Sequence, residues 1–139
     1  MKKVFIFLLA IVMVSSVSVN AQTVLESATT AGKLAGVLPI SDVAQTANSI
    51  LGVLKPKLSL TKTQTPKVLE VVSEFLQAKS GIVDSAQSNP AAYVSKFGEI
   101  KDKLLSSLKT ALTVSQFKNM LALKPKTSTS SNVLSHLFY

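Results

Sequence analysis

Apolar residues recur at steps of three and four along most of the chain, and no stretch alternates as a half-buried strand would. Residues 65–87 carry one such stripe, formed by Val68, Leu69, Val72, Phe75, Leu76, Ile82 and Val83. Residues 90–111 carry a second, formed by Tyr93, Phe97, Ile100, Leu104, Leu108 and Ala111. Both stretches are therefore predicted to be long amphipathic helices.

The signals between these stripes predict how the two helices meet. Gly81 costs a helix about 1 kcal/mol relative to Ala, but the stripe resumes beyond it, so we expect the first helix to continue to about Gln87. Asn89 followed by Pro90 is typical of a helix start. Because only a short turn separates the helices, they are expected to run antiparallel. The predicted fold is all-α, a long antiparallel helical hairpin with shorter helices packed on it.

Charged side chains interrupt the first stripe only at its edges. Lys67, Glu70, Glu74 and Lys79 are placed mostly off the apolar face. The spacing of Glu70 and Glu74 suits a dicarboxylate metal pair, but no histidine lies nearby in the sequence, so a solvated face is favoured.

Residues 22–57 are predicted to form N-terminal helices rich in alanine and glycine. A weak helix is expected from Gln22 to Ala35. A second is expected to be capped by Ser41 and stopped by Pro56, because proline disfavours a helical residue before it.

Residues 124–139 are read as a polar linker followed by an apolar tail. The tail contains Leu134, Leu137, Phe138 and Tyr139, and Asn132 is a candidate cap for a last turn. It could be a docking peptide for a membrane, a partner's groove or an envelope protease, or it could fold back and cover an apolar gap in the core. The second alternative is favoured because an exposed Leu-Phe-Tyr end promotes aggregation and degradation.

Residues 1–21 are predicted to be a signal peptide. Lys2 and Lys3 precede an apolar run of 11 residues from Val4 to Val14, which is shorter than the roughly 20 residues that span a bilayer. Small residues up to Ala21 fit a signal-peptidase site. The expected location is periplasmic or secreted, with a mature chain that begins at Gln22 and a net charge of +8 − 2 = +6.

One short motif occurs twice in residues 58–123, the predicted helical core. Leu-Thr-x-x-Gln appears at Leu60, Thr61 and Gln64, and again 52 residues later at Leu112, Thr113 and Gln116. Each copy has the pattern of a capping box, in which the threonine hydroxyl and the glutamine amide bond each other's main-chain N–H groups. In the second copy Leu112, before the cap, can also pack against Phe117 in the first turn as a hydrophobic staple. The first copy is expected to be flawed, since Thr65 and Pro66 follow it, and the helix could begin there instead.

The paired motif in a small exported helical chain resembles the LTxxQ-motif periplasmic proteins of the Spy and CpxP kind. The resemblance covers about residues 58–123. It implies a small all-helical protein, acting either as an ATP-independent chaperone through a cradle-shaped dimer or as an envelope-stress regulator.

Composition excludes much chemistry. The chain has no Cys and a single His, His136, so thiol nucleophiles, thiolate metal sites and histidine clusters are ruled out or disfavoured. No base and nucleophile can be paired, and Ser135 beside His136 has no acidic partner in the sequence. We predict no enzyme activity, no cofactor and no metal. The 15 basic residues are all lysines, which lack the forked donors that read nucleic acid, so nucleic acid is not expected as a partner.

The sequence therefore predicts a small exported helical binding protein. Its expected partners are protein clients or an envelope protein, and long amphipathic helices in a short chain make a homodimer reasonable. The alternative is a structural protein that lies on an anionic membrane surface through its lysines and apolar tail.

Overall fold

The computed structural model describes residues 36–139, and all the regular secondary structure in this range is helical. The helices are α1 Val43–Leu58, α2 Gln64–Val83, α3 Ser85–Ser88, α4 Pro90–Ala111, α5 Val114–Ala122 and α6 Ser135–Phe138. The predicted all-α class is confirmed. The signal peptide and the helix expected from Gln22 to Ala35 lie outside the described residues.

Helix α1 begins one residue later than the predicted cap would place it. Asp42 has an extended backbone, and its carboxylate accepts the N–H of Gln45 at 2.9 Å. The prediction of Ser41 as the cap is wrong. An aspartate at this position both satisfies a free N–H group and places negative charge at the positive end of the helix.

Helix α1 also continues through Pro56, so the predicted stop at this residue is wrong. The stripe of buried side chains runs on to Leu58, which is 3% exposed. Burying that side chain contributes about 1.5–3 kcal/mol, which is comparable with the cost of about 3 kcal/mol for an interior proline. The helix ends at Ser59 in the left-handed region (φ 51°), where the N–H groups of Ser59 and Leu60 both reach the carbonyl of Lys55.

Helix α2 passes through Gly81, as predicted, but it ends at Val83 rather than near Gln87. The hydroxyl of Ser85 donates to the carbonyl of Ile82 at 2.6 Å and so competes with the main-chain bond that would continue the helix. The single turn α3 follows. Helix α4 then starts at Pro90, where Asn89 accepts the N–H of Ala92 at 3.2 Å, as the sequence predicts.

One apolar core joins the helices. Its buried members are Ala47, Ile50, Leu51, Leu54, Leu58, Leu60, Val68, Val72, Phe75, Leu76, Leu104, Leu108, Leu112, Met120, Leu134, Leu137 and Phe138. The most extensive packing is between α2 and α4, where the rings of Phe75 and Phe97 lie 6.2 Å apart. The three tail residues in the core establish that the tail folds back, which is the favoured alternative.

Candidate functional site

The second Leu-Thr-x-x-Gln motif forms a complete capping box at the start of α5. The hydroxyl of Thr113 accepts the N–H of Gln116 at 3.3 Å, and the side-chain oxygen of Gln116 accepts the N–H of Thr113 at 2.9 Å. Two of the N–H groups that a helix start leaves unpaired are thereby satisfied.

The first motif closes in the same way, one turn before α2. The hydroxyl of Thr61 accepts the N–H of Gln64 at 3.2 Å, and Gln64 Oε1 accepts the N–H of Thr61 at 3.1 Å. The expected defect does not open the box. Helix α2 starts at Gln64, so Pro66 falls in the first turn, where a missing N–H group costs little.

The two glutamines also bond each other. Gln64 Nε2 donates to Gln116 Oε1 at 2.8 Å, and Gln116 Nε2 donates to Gln64 Oε1 at 3.1 Å. The remaining amide hydrogens reach main-chain carbonyls that precede the opposite motif, at Ala111 for Gln64 (3.2 Å) and at Leu58 for Gln116 (3.1 Å). We call this arrangement the glutamine lock. It joins the α1–α2 turn to the α4–α5 turn.

The apolar residues of the motifs lie beneath the lock. Leu60 and Leu112 are both buried in the common core. Phe117 is partly buried and packs against the same core. The lock is thus a small polar junction whose position is fixed on its inner side by apolar packing.

Helix α5 presents apolar side chains to solvent beside the lock. Val114 is 74% exposed and Leu121 is 41% exposed, and they are the large hydrophobic residues exposed in the part of the chain that the structure describes. They are seven residues apart, so they lie on one face of α5, with Lys118 between them on the same exposed side. The capping motif identifies the start of this helix but not which of its side chains are exposed.

A second unusual group lies on α2, under the C-terminal tail. Lys79 is fully buried, and its Nζ donates to the main-chain oxygens of His136 at 2.9 Å and Tyr139 at 2.8 Å. The ammonium also lies 5.4 Å from the centre of the Phe97 ring. The prediction that Lys79 lies off the apolar face is wrong. Position 79 follows Val72 by seven residues, so the spacing alone could have placed it on the stripe.

Burial shifts the pKa of one titratable side chain in each of α2, α4 and the tail. It lowers the pKa of Lys79 to about 8, because the buried ammonium loses the hydration that favours its charged form. Burial also lowers the pKa of His136, and the nearby charge of Lys79 lowers it further. The pKa of Tyr93 rises to about 12 for the same reason of burial. Tyr93 Oη and His136 Nδ1 are buried without a hydrogen-bond partner.

Within residues 36–139, no cluster of three or more histidine or acidic side chains could hold a metal ion, and no helix is long and apolar enough to span a membrane. Glu70 and Glu74 do not form part of such a cluster, and Glu74 pairs instead with Lys103 at 3.7 Å in solvent. Comparison of the chain with protein-family models, with curated proteins and with solved structures gave no match.

Replacing Gln116 by alanine should lower the free energy of unfolding by about 2–3 kcal/mol. The N–H of Thr113 and the carbonyl of Leu58 would lose their partners, and Gln64 would lose one donor bond and one acceptor bond. Chemical denaturation of the single variants, Gln64→Ala and the double variant measures this loss and the coupling between the two amides. Gln77→Ala, at an exposed site in α2, is the control and should change stability by less than about 0.5 kcal/mol. Additive effects of the two lock variants would contradict the lock.

The free energy of unfolding should rise with pH between about pH 8 and pH 10.5 in the wild-type chain. In this window the unfolded lysine, with its ordinary pKa of 10.5, still holds a proton that the folded Lys79 has lost. Stability therefore increases toward high pH, by at most about 3 kcal/mol. Below pH 8 both states are protonated at this residue and the gain is absent.

Denaturation at a series of pH values tests this dependence. Lys79→Met should remove the rise, whereas Lys67→Met, at an exposed position of the same helix, should leave it in place. A pH profile that is the same in all three chains would contradict the assignment to Lys79.

Proposed function

We propose that this chain is an exported, non-enzymatic helical binding protein that takes apolar segments of other proteins on the exposed face of α5. The carrying observation is the exposure of Val114 and Leu121 on one short helix. In this proposal the protein is chaperone-like, or a sensor of envelope stress, in the manner of the LTxxQ-motif periplasmic proteins that it resembles.

The glutamine lock supports this role because it holds α5 in place. A nine-residue helix is too short to be stable by itself. Its start is capped by Thr113 and Gln116, and Met120 is buried against the core. The exposed apolar face is therefore presented on a fixed support, and binding a client does not have to order the helix first.

Charge is segregated toward the same end of the molecule. No Asp or Glu occurs in residues 43–69 or in residues 103–139, and these two stretches meet at the lock. The lysines within four residues of the lock atoms are all exposed, and we call them the basic end: Lys55, Lys57, Lys62, Lys67, Lys109 and Lys118. Such a surface attracts acidic chains from a distance, so the clients we propose are acidic as well as apolar.

We further propose that α2 and α4 form an antiparallel hairpin as the frame for this surface. Contacts between the two helices support it. Gln64, at the start of α2, bonds the carbonyl of Ala111 at the end of α4. Further along α2, Phe75 lies beside Phe97, toward the start of α4.

Export is part of the same proposal, and the mass of the mature protein tests it. Expression of the full chain in a Gram-negative host should give a protein in the extracytoplasmic fraction that begins at Gln22, because the signal peptide is removed after Ala21. Intact-mass spectrometry of the fractions measures this. Replacing Leu8 and Leu9 by Arg breaks the apolar run and should retain the uncleaved chain in the cytoplasm. Cytoplasmic wild-type protein of full mass would refute export.

Aggregation suppression tests client binding. The exported protein should slow the light scattering of an acidic client during refolding, and Val114→Ser with Leu121→Ser should weaken this at least about threefold, because exposed apolar contact is lost. Ala91→Ser, at an exposed position on α4, is the matched control and should have no effect. Since both apolar side chains face solvent, the double variant should fold normally by circular dichroism.

The same preparations distinguish the membrane alternative. Co-sedimentation with vesicles containing phosphatidylglycerol, at low and high salt, measures attraction of the basic end to anionic lipid. No suppression at several-fold molar excess over the client would refute the chaperone-like role. Salt-sensitive vesicle binding together with that result would favour a membrane-surface protein.

A further inference from the structure

The C-terminal tail, residues 133–139, is bound to the rest of the chain as a ligand would be. Leu134, Leu137 and Phe138 are buried, at 4%, 2% and 7% exposure. The four-residue helix α6 packs on α2 and has no side-chain cap. A helix this short has no stability of its own, so its shape depends on the surface that receives it.

Lys79 gives that surface a specific chemistry. The last carbonyls of a helix lack partners within the helix and carry partial negative charge. Lys79 donates to two main-chain oxygens at this end of α6, at 2.9 and 2.8 Å. A buried cation in this position recognises the end of a helical turn through its main chain, whatever side chains the turn carries.

The tether between the tail and the core is weak. Residues 124–132 contain no helix. Among the described residues, one side-chain hydrogen bond joins this segment to the chain before α1, from Ser128 Oγ to the carbonyl of Gly36 at 2.7 Å. Four others stay within the linker and tail, among them Tyr139 Oη to the Pro125 carbonyl and the Thr129 N–H to Ser135 Oγ. The linker therefore adds little to what holds the tail, which is the apolar packing of its side chains and the two bonds from Lys79.

We propose that the surface around Lys79 is a second binding site, that its ligands are polypeptide segments of partner proteins ending in an apolar helical turn, and that the tail is a resident competitor for it. The tail defines the ligand: two or three large apolar side chains on one turn, with main-chain oxygens at its end for the ammonium. A tethered segment acts at an effective concentration of about millimolar, so a partner segment must fit better than the tail to replace it.

This site is separate from the α5 surface, so the two proposals fail independently. Loss of aggregation suppression in the Val114 and Leu121 variants would leave the tail site untouched. Permanent occupation of the tail site would leave client binding on α5 untouched.

Hydrogen exchange on the intact chain is the first test. The amides of residues 135–139 should exchange at least about tenfold faster than those of Leu76 and Leu104, since they open without global unfolding. Equal protection in the tail and in the helical core would overturn the proposal, because the site would then open only when the protein unfolds.

Peptide binding is the second test. The probe is a fluorescent peptide of residues 132–139, and its receptor is the full chain with Leu137→Ser and Phe138→Ser, which should release the tail. The peptide should bind this variant at least about tenfold more tightly than it binds the wild-type chain. Adding Lys79→Met to the receptor should weaken binding about tenfold. Ala91→Ser, at an exposed position on α4, added to the same receptor is the matched control and should leave binding unchanged.

The other possible results of the peptide experiment also bear on the proposal. A folded receptor variant that does not bind the peptide overturns the proposal. If the variant loses its helical circular dichroism, the exchange measurement on the intact chain decides. Dimers of the wild-type chain that grow with concentration and dissociate on adding the peptide would make a second copy's tail the occupant, and would overturn the assignment to a different partner.

Discussion

The reciprocal hydrogen bonds between Gln64 and Gln116 fix the arrangement of the helices. A carboxamide has two N–H donors and an oxygen that accepts two bonds. In this structure both amides use all four, because each caps its own threonine, bonds the other amide and reaches a main-chain carbonyl before the opposite motif. A partly buried polar junction stabilises a fold only when it is satisfied in this way. Two local helix starts are thereby converted into a contact between distant turns.

The sequence predicts each half of this junction but not their meeting. A capping box depends on residues three positions apart, so Thr113 and Gln116 identify the start of α5 directly. The contact between the glutamines spans 52 residues and depends on how the intervening helices pack. The wrong prediction that α1 stops at Pro56 has the same physical cause. Pro56 is a helix breaker by local rules, yet burial of Leu58 extends α1 past it.

Lys79 illustrates the limit of a hydrophobicity pattern. Its spacing from Val72 and Phe75 places it on the buried stripe, while its charge argues for the exposed side. Burial of a lysine is strongly unfavourable unless donors find acceptors. Those acceptors are main-chain oxygens 57 and 60 residues further on. Every residue has a main-chain oxygen, so the sequence does not show which one is the acceptor. A charged residue at an apolar spacing is therefore the only signal in the sequence for this site.

The two sites are separated along a single helix. Gln64 begins α2 and Lys79 lies 15 residues later, which corresponds to about 22 Å at 1.5 Å per residue. At one end, a satisfied polar junction joins the start of α5 to the α1–α2 turn and so fixes the position of its exposed face. At the other end, a buried cation holds a tail that has little structure of its own.

The lock and the tail differ in how completely their buried polar atoms are hydrogen-bonded, and we attribute the stability of the lock and the proposed opening of the tail to this difference. The lock leaves no donor or acceptor of its two amides unpaired, whereas in the tail His136 Nδ1 remains buried without a partner. Unpaired buried polar atoms make the closed state of the tail less favourable, and this difference argues that the tail, rather than the lock, is the part of the core that opens.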